Sequence, residues 1–475
     1  MSFPLETIVA RAKRKGFVYP NSDIYGGLAN AWDYGPYGAL LRKNIIDLWT
    51  KYYTQERDDV ILMDTAIIAH PTTWVASGHV GGFSDALIDD KKTGQRFRAD
   101  KIIENYFEHI RNNLSDEDLA KKLEIKNLSP ESRGNDGMYQ FIVKYIPNNP
   151  DTKKPAEWTE CRNFNLMLNT TLGPVADEAN KVYMRPETCQ SLFTDFRNVC
   201  DTTRNRIPFG LAQVGKAFRN EITPGQFLFR TREFEQMEIE YFVPADPDNA
   251  MKVFEERKKV SMDFWTQIIG ISLEHLRYKD HDKLAHYAAA ATDIEFSFPW
   301  GFGEVQGIHN RTDFDLKQHQ EYSKVSMQYT DPKSGQRYIP RCVETSMGVG
   351  RCMMASMLEF YDEETLTKED GSTDVRTVIR FPFQLAPIKY AVLPLLEKND
   401  EMVALGETIY KSLRNTYNCD FDTGGGIGKR YRRQDEIGTP YCICVDHQSL
   451  EDGTVTIRHR DSMEQTRISW KEIGK

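Results

Sequence analysis

The stretch GKAFRNEITPGQFLFRTREFEQMEIEYF, residues 215–242, crowds Lys216, Arg219, Arg230 and Arg232 against Glu221, Glu233, Glu235, Glu238 and Glu240, with aromatic residues between them. A solvated hairpin of self-neutralising charges is the plain reading of such a run, because surface ion pairs contribute little. The alternation argues against it. At a period of two, the first arm puts Leu211, Gln213, Gly215, Ala217, Arg219 and Glu221 on one face and Ala212, Val214 and Phe218 on the other. The second arm puts Phe234, Gln236, Glu238 and Glu240 on one side and Met237, Ile239 and Tyr241 on the other. Neither face is plainly a solvent face, so an antiparallel pair whose polar face lines a cavity is expected. Between the arms, Pro224 and Gly225 mark a turn within a loop of about ten residues, longer than the usual ~2–5 of a hairpin, and long loops tend to be functional. A strand gives Arg219 the rigid base that bidentate binding of phosphate or carboxylate needs; Arg230 and Arg232 sit where a mobile loop could close over a polyphosphate.

At 475 residues the chain is too long for one core and implies two or three domains. Charged residues make up 28% and hydrophobic residues 40%. The longest apolar segment, APIKYAVLPLL, is interrupted by Lys389 and falls short of the ~18 residues a membrane helix needs, so membrane insertion is not expected. A net charge of -9 argues against nonspecific coating of nucleic acid and leaves local basic patches to make any such contact. The eight cysteines show no CxxC pair and no secreted-scaffold density, which points to reduced thiols in a cytoplasmic protein. The basic, amphipathic start SFPLETIVARAKRKGF reads as a helix of the domain rather than a transit peptide, since it carries Glu6 and lacks a serine-rich tail.

Along the chain, GALLRKNIIDLWTKYYTQER (38–57) has helical spacing and leads into VILMDTAIIAHP, read as a buried strand closed by Pro71. Residues 86–158 turn charged and polar and read as an inserted subdomain. Consecutive strands with few crossover helices between 161 and 360 indicate an antiparallel sheet. YDEETLTKEDGSTD is read as a linker, and alternating strands and helices from 376 to 475 imply a small α/β domain. The expected organisation is therefore an α+β domain from 1–85 and 159–365, an insertion at 86–158, and a C-terminal α/β domain at 376–475.

Two glycine runs fail as phosphate loops. GVGRCM has Met353 where a dinucleotide fingerprint needs glycine, and TGGGIGK has Thr423 and Arg430 in place of the first glycine and the hydroxyl residue of a Walker loop. A nucleotide can be held without either, its base sandwiched between Phe234 and the Arg351 guanidinium while Arg219 and Arg230 neutralise phosphates and carboxylates bind magnesium. Composition leaves open whether Arg351 is instead a helix-start arginine paired with a nearby glutamate.

The hairpin FRNEITPGQFLFRTREFEQMEIE, YMRPETCQSLF, IHNRTDFDL and ETSMGVGR together resemble dimeric glycyl-tRNA synthetases, class II enzymes. The resemblance runs from FVYPNSDIYGGLANAWDYGPYG to GKRYRRQDEIGTPY. It implies a class II catalytic domain on an antiparallel sheet, an anticodon-binding C-terminal domain, a homodimer, and the substrates glycine, ATP and tRNA(Gly). It implies that Arg219 bridges the glycine carboxylate and the α-phosphate and that Phe234 and Arg351 stack on adenine, Arg219 and Arg351 being the catalytic pair. Glu221 would bind the adenine amino group and Arg230 or Arg232 the outer phosphates, with Asn220, Phe229, Thr231, Glu304, Val305 and Gly348 completing the ATP contacts. Glycine would be held by Arg98, Glu187, Glu238, Glu344 and Ser346, and Mg2+ by Glu304 and Glu344. An ion pair with Arg185 is the structural alternative for Glu187. Lys429, Arg430, Arg432 and Arg433 would meet tRNA phosphates and Tyr431 an unpaired base, although an exposed basic helix explains the same residues.

Three departures stand out against the resemblance. TCQS replaces the usual TAQG at Cys189 and Ser191, Thr345 stands for a usual proline, and DDKKTGQRFRAD lacks the cysteines some bacterial relatives carry, which argues against zinc, so that Mg2+ entering with ATP is the one metal expected. An inactive relative serving as a binding module would be expected to have lost charged site residues, but Arg219, Glu221, Phe234, Glu238 and Arg351 are all present. A class II synthetase for a slightly larger amino acid is the other rival; the resemblance sets Glu187, Glu238 and Ser346 against it.

Overall fold

The computed structural model describes residues 3–111, 115–123, 128, 130–174, 180–222, 224–367 and 371–474. Thr223, inside the hairpin loop, lies outside them. The elements that place the site are, in order, helices α1 (Leu5–Arg14) and α2 (Pro36–Thr50), strand β1 (Val60–Met63), α3 (Cys189–Thr203), β2 (Phe209–Phe218), β3 (Glu233–Val243), α4 (Pro247–Asp263), β4 (Leu276–Asp280), β5 (Ala290–Phe298), β6 (Gly301–Thr312), β7 (Arg341–Gly348) and α5 (Val349–Phe360).

The seven strands form one sheet in the order β4-β5-β6-β7-β3-β2-β1. Every neighbouring pair is antiparallel except β2 with β1, which is parallel. That exception changes the reading of VILM. β1 is a partly exposed edge strand, with Leu62 49% exposed, and Pro71 opens the short helix Pro71–Ala76 rather than closing a strand. Proline is suited to that first helical position, where its missing N–H would be unpaired anyway.

The hairpin register pairs Gln213 with Glu238 and Ala217 with Phe234 on one face, Val214 with Met237 and Ala212 with Ile239 on the other. The second face joins the main core, with Leu41, Ile45 and Trp49 of α2, Phe254 of α4 and Met353 of α5. The first is polar towards the hairpin loop and apolar towards its far end, where Phe209, Leu211 and Phe242 pack against Phe193 and Phe196 of α3. Both faces are covered, as the alternation demanded. Glu235 points to the core side, and Arg42 of α2 meets it with a two-pronged ion pair.

The insertion's sheet runs beyond 86–158 on both sides: Ser84–Asp89 pairs with Arg96–Arg98 and with Arg162–Asn165. Helices Ala99–Ile110 and Gly134–Tyr145 cover it with a core of their own that includes Ile103, Phe107, Phe141 and Trp158. The stretch read as a linker is a β-hairpin instead, β8 (Tyr361–Thr367) with β9 (Thr373–Ile379). Beyond it, β10 (Tyr390–Pro394), α6 (Asp400–Leu413), β11 (Cys419–Phe421), α7 (Ile427–Asp435), β12 (Tyr441–Val445), β13 (Thr454–His459) and β14 (Gln465–Ser469) build a five-stranded sheet in the order β11-β10-β12-β13-β14. Its first two pairings are parallel and its last two antiparallel. Among the described residues no helix is long and apolar enough to cross a membrane.

Two glycines give opposite expectations. A Cβ on Gly38, in the first turn of α2, would lie 1.8 Å from the backbone oxygen of Phe17, whereas one on Gly428, in α7, meets nothing within 4 Å. Gly38→Ala is therefore expected to destabilise by about 3 kcal/mol, the upper end for overpacking. Gly428→Ala is expected to leave stability unchanged or to raise it by up to about 1 kcal/mol through helix propensity. Thermal unfolding of the two variants beside the parent checks both.

Candidate active site

Three strands bring the polar residues into rows. Across β6, β7 and β3, His309 sits opposite Glu344 and Glu344 opposite Glu240; one row over, Gly307 faces Ser346, and Ser346 faces Glu238. The three glutamates are buried, each 5% exposed or less. Arg311 answers part of that charge: it forms a two-pronged pair with Asp315 at 2.8 and 2.9 Å and reaches Glu344 with its remaining arm. His309 Nδ1 stands 3.1 Å from the other Glu344 oxygen. Burial alone would raise Glu344, but Arg311 and the His309 hydrogen bond hold it below the ordinary carboxylate range. Burial and then Glu344 push Glu240 well above that range, and the Cys342 thiol donates to it.

Among the described residues Glu238 forms no ion pair, although the Arg185 guanidinium acts on it through space. It accepts from the Thr188 amide at 2.9 Å, the Thr188 hydroxyl, the Ser346 hydroxyl at 2.7 Å and the Gln236 amide at 3.0 Å. Burial, then the charges of Glu344 and Glu187, push its pKa up to about 7. Glu187 is paired with His79 at 3.4 Å and not with Arg185. Arg185, 2% exposed, spends its guanidinium on the backbone oxygens of Lys216 and Thr65. Gly215 makes room for it, since a Cβ there would lie 2.1 Å from Arg185 Nη2. Burial would raise Glu187, yet the His79 charge and hydrogen bond hold it well below the usual value. Cys189 donates its thiol to Glu187 at 2.9 Å, and Thr345 is buried on the opposite, core-facing side of β7.

Arg219 leaves the end of β2 with Nε on the Pro186 carbonyl at 3.0 Å and its guanidinium between two rings, 5.4 Å from the centre of Phe83 and 5.3 Å from that of Phe234. Arg351 opens α5 with Nε on the Phe229 carbonyl at 3.1 Å, lies 4.3 Å over the Phe229 ring, and pairs with Glu304 at 3.1 Å. Arg351 thus takes the glutamate-paired alternative, with its guanidinium over the ring of Phe229. Arg351 first, and Arg219 among the lesser charges, hold Glu304 below the ordinary carboxylate range, so the two arginines act on one carboxylate. A bulge in the β5–β6 pairing leaves Val305 without a register partner beside Glu304, the kind of irregularity that re-aims a side chain.

Residues 389–475 match the family described as anticodon binding domain, and residues 171–360 match the tRNA synthetase class II core domain (G, H, P, S and T). A glycine–tRNA ligase of Ruminiclostridium cellulolyticum is 48% identical, covering 99% of this chain and 97% of its own. One of Chlorobaculum tepidum is 45% identical over 99% and 98%, and one of Lachnoclostridium phytofermentans 48% identical over 100% and 98%. The chain belongs to the glycine–tRNA ligase family. It has a class II core built on a mainly antiparallel sheet, with an anticodon-binding domain after it.

In this family member the structure brings Arg219, Phe234, Glu304 and Arg351 to one end of the sheet's polar face and Glu187, Glu238, Glu344 and Ser346 to its middle. Other expected residues are placed differently. Val305 is 1% exposed in the main core, so only its backbone is available to a ligand. Gly348 lies under the Arg351 stem, 3.8 Å from a Cβ built on it. Glu344 is spent on Arg311 and His309, which takes it out of the magnesium role. Arg98 is tied to Asp85 at 3.2 Å and Asp100 at 2.6 Å, with Glu221 acting on it from the hairpin. Asn220 donates its backbone N–H to the Leu166 carbonyl, Thr231 its hydroxyl to the Glu233 backbone carbonyl, and Arg232 reaches the Glu221 and Ala29 carbonyls. Arg230 is felt at Asp85.

In the anticodon-binding domain Arg430 is 1% exposed and donates to the carbonyls of Pro394, Leu395 and Asp422, which removes it from phosphate contact. Tyr431 packs against Ala391, Leu393 and Cys442 with Arg458 4.9 Å from its ring centre, so its ring is occupied by protein. Lys429 and Arg433 are exposed, and Arg432 is half-buried beside Asp374.

Sequence reasoning missed His79, Arg311 and Asn30. Arg311 stood in IHNRTDFDL without a role. The Asn30 side chain donates to the carbonyls of Gly225, Phe227 and Arg230 at 3.4, 2.9 and 2.7 Å, and Trp32 donates to its oxygen at 3.0 Å. It thereby fixes a loop in which Gln226 and Phe227 both take positive φ. Losing hydrogen bonds worth about 1 kcal/mol each, Asn30→Ala is expected to speed hydrogen exchange at residues 225–231 by roughly tenfold or more while leaving β2 and β3 protected; peptide-resolved exchange measures it.

Proposed function

We propose that this chain is a glycine–tRNA ligase that joins glycine to ATP to give glycyl-adenylate and pyrophosphate, then passes the glycyl group to the terminal ribose of tRNA(Gly). The observation that carries the site assignment is Arg219. Among the described residues only its Nε has a protein acceptor, so both terminal nitrogens are left for a ligand while Phe83 and Phe234 hold the guanidinium. A group fixed in this way suits charge that builds during displacement.

In the first step a glycine carboxylate oxygen attacks the α-phosphorus, the bond to the bridging oxygen breaks, and pyrophosphate leaves with that electron pair. The nucleophile is already ionised at neutral pH, so no protein base is required. Arg219 spans the carboxylate and the α-phosphate, and positioning with charge neutralisation does the catalysis. Adenine stacks between Phe234 and Arg351, with Glu221 at its amino group and Arg230 or Arg232 at the outer phosphates. Magnesium entering with ATP would be held by Glu304, whose carboxylate is 48% exposed, and would neutralise phosphate charge. The residues fit such an ion: Glu304 presents half-exposed carboxylate oxygens, the hard donors that magnesium takes.

Glycine's ammonium supplies the cation that Glu238 lacks. A hydrophobic pocket discriminates one methylene by only ~1–3 kcal/mol; here a larger side chain would press on desolvated carboxylates at Glu187 and Glu238 and on Ser346. Arg98, already held by two aspartates, is retained as a residue at the substrate's edge. The exposed Lys429 and Arg433, with Arg432, are the phosphate contacts we keep for tRNA, and the insertion is the acceptor-stem contact. A cytoplasmic homodimer completes the reading, supported by the exposed apolar side chains Ile24, Tyr25 and Leu28 and by the open edge of β1.

Pyrophosphate exchange into ATP is expected to need glycine and to fall roughly 100-fold or more in Arg219→Ala. Equal exchange with alanine or serine would defeat the specificity, and none with any amino acid would favour a binding module. Because the ammonium favours ionised Glu238, binding releases a proton wherever that group is protonated, and affinity is lost as pH falls through about 7. The glycine KM is accordingly expected to rise on acidification in the parent and to stay flat, at a higher value, in Glu238→Gln.

A further inference from the structure

We propose that His281, Asp293 and His309 form a binding site for a divalent transition metal, with zinc the best match, separate from the magnesium that accompanies ATP. Their donor atoms lie within 4.8 Å of one another. The three residues come from neighbouring strands. His309 on β6 stands opposite Ala291 on β5, the His281 amide just past β4 donates to the Ala291 carbonyl, and Asp293 is two residues along the same face. His281 Nε2 is already 2.9 Å from Asp293 Oδ2. A tetrahedral zinc with bonds of ~2.1 Å spaces its ligands about 3.4 Å apart, so small side-chain rotations close the set.

A carboxylate already stands behind one of the imidazoles. His309 Nδ1 lies 3.1 Å from Glu344 Oε1, and since the carboxylate only accepts, Nδ1 carries a proton and Nε2 is the nitrogen a metal would take. A carboxylate behind a ligating imidazole is the usual outer partner in such centres. Gly307 lets the ring lie where it does: a Cβ there would come 2.7 Å from His309 Cε1. The side chains are 33%, 16% and 20% exposed, so an ion can enter and keep open coordination positions.

Two imidazoles and one carboxylate select a borderline metal; magnesium takes oxygen ligands and sheds water reluctantly. The other group of metal-ligating type, Cys189, Glu240 and Glu344, is fully buried, its thiol committed to Glu187 and its Glu344 neutralised by Arg311. Through Glu344, an ion on His309 would also fix the network that holds Arg311.

The test is calorimetric titration of the chelator-treated full chain with Zn2+ in millimolar Mg2+, followed by Co2+ absorption spectra, and it requires no catalytic activity. One Zn2+ per chain is expected, with affinity reduced by roughly tenfold or more in His281→Ala and in His309→Ala, at least the loss that removing an outer partner brings. Cys189→Ala should bind as the parent does. His281→Gln, at the exposed edge, serves as the second variant if an alanine variant unfolds; Tm without metal tells which do. No stoichiometric binding, displacement by Mg2+, binding intact in the histidine variants, or binding lost in Cys189→Ala would each overturn the site.

Discussion

Three glutamates are forced onto one buried face. Glu238, Glu240 and Glu344 come from two paired strands, and every one of them is taken out of water, where an isolated carboxylate is costly. The structure resolves the charge unequally. Arg311 neutralises Glu344 and His309 hydrogen-bonds to it, and Glu240 is driven towards its neutral form. Among the described residues Glu238 is left with hydroxyl and amide donors and no ion pair. The remaining electrostatic demand is therefore concentrated at one point, and it is a demand for a small positive group.

The covering elements follow from that face. α3 seals its apolar end, while the segment before α3 supplies Thr188 and Glu187. Arg185 threads beneath Gly215 and ties this segment to the β2 backbone. At the other end of the sheet, Arg219 is fixed by the Pro186 carbonyl and the rings of Phe83 and Phe234, and Arg351 by the carbonyls of Phe229 and Glu304 and the ring of Phe229. A ligand spanning both ends would meet guanidinium groups first and a carboxylate last, an order that matches an anionic group joined to an ammonium.

Much of this was legible at the hairpin because period-two alternation with apolar residues on one side and glutamates on the other fixes both the pairing and the faces. What escaped lies in contacts that sequence spacing does not encode. Arg311 meets Glu344, His79 meets Glu187, and Asn30 meets the carbonyls of residues 225–230, all across long separations. The basic run at 429–433 misled for a different reason. Ile427, Arg430, Tyr431 and Gln434 recur at the spacing of one helical face, and α7 turns that face inward, so composition hid a stripe that periodicity contained. VILM was apolar enough for a central strand, yet nothing local says that a sheet ends there.

Asp435, at the end of α7, receives Arg376 from β9 at 2.8 Å and Arg458 from β13 at 2.9 Å, with no exposure of its own. Lys15, just past α1, pairs with Glu436 next to it, and Arg11 of α1 with Glu363 of β8. Breaking such a buried pair from one side costs about 3–5 kcal/mol. The C-terminal domain is thus bolted down rather than tethered. A polynucleotide that must touch both ends is measured against a span the protein has set before it arrives, like an object offered to a fixed gauge.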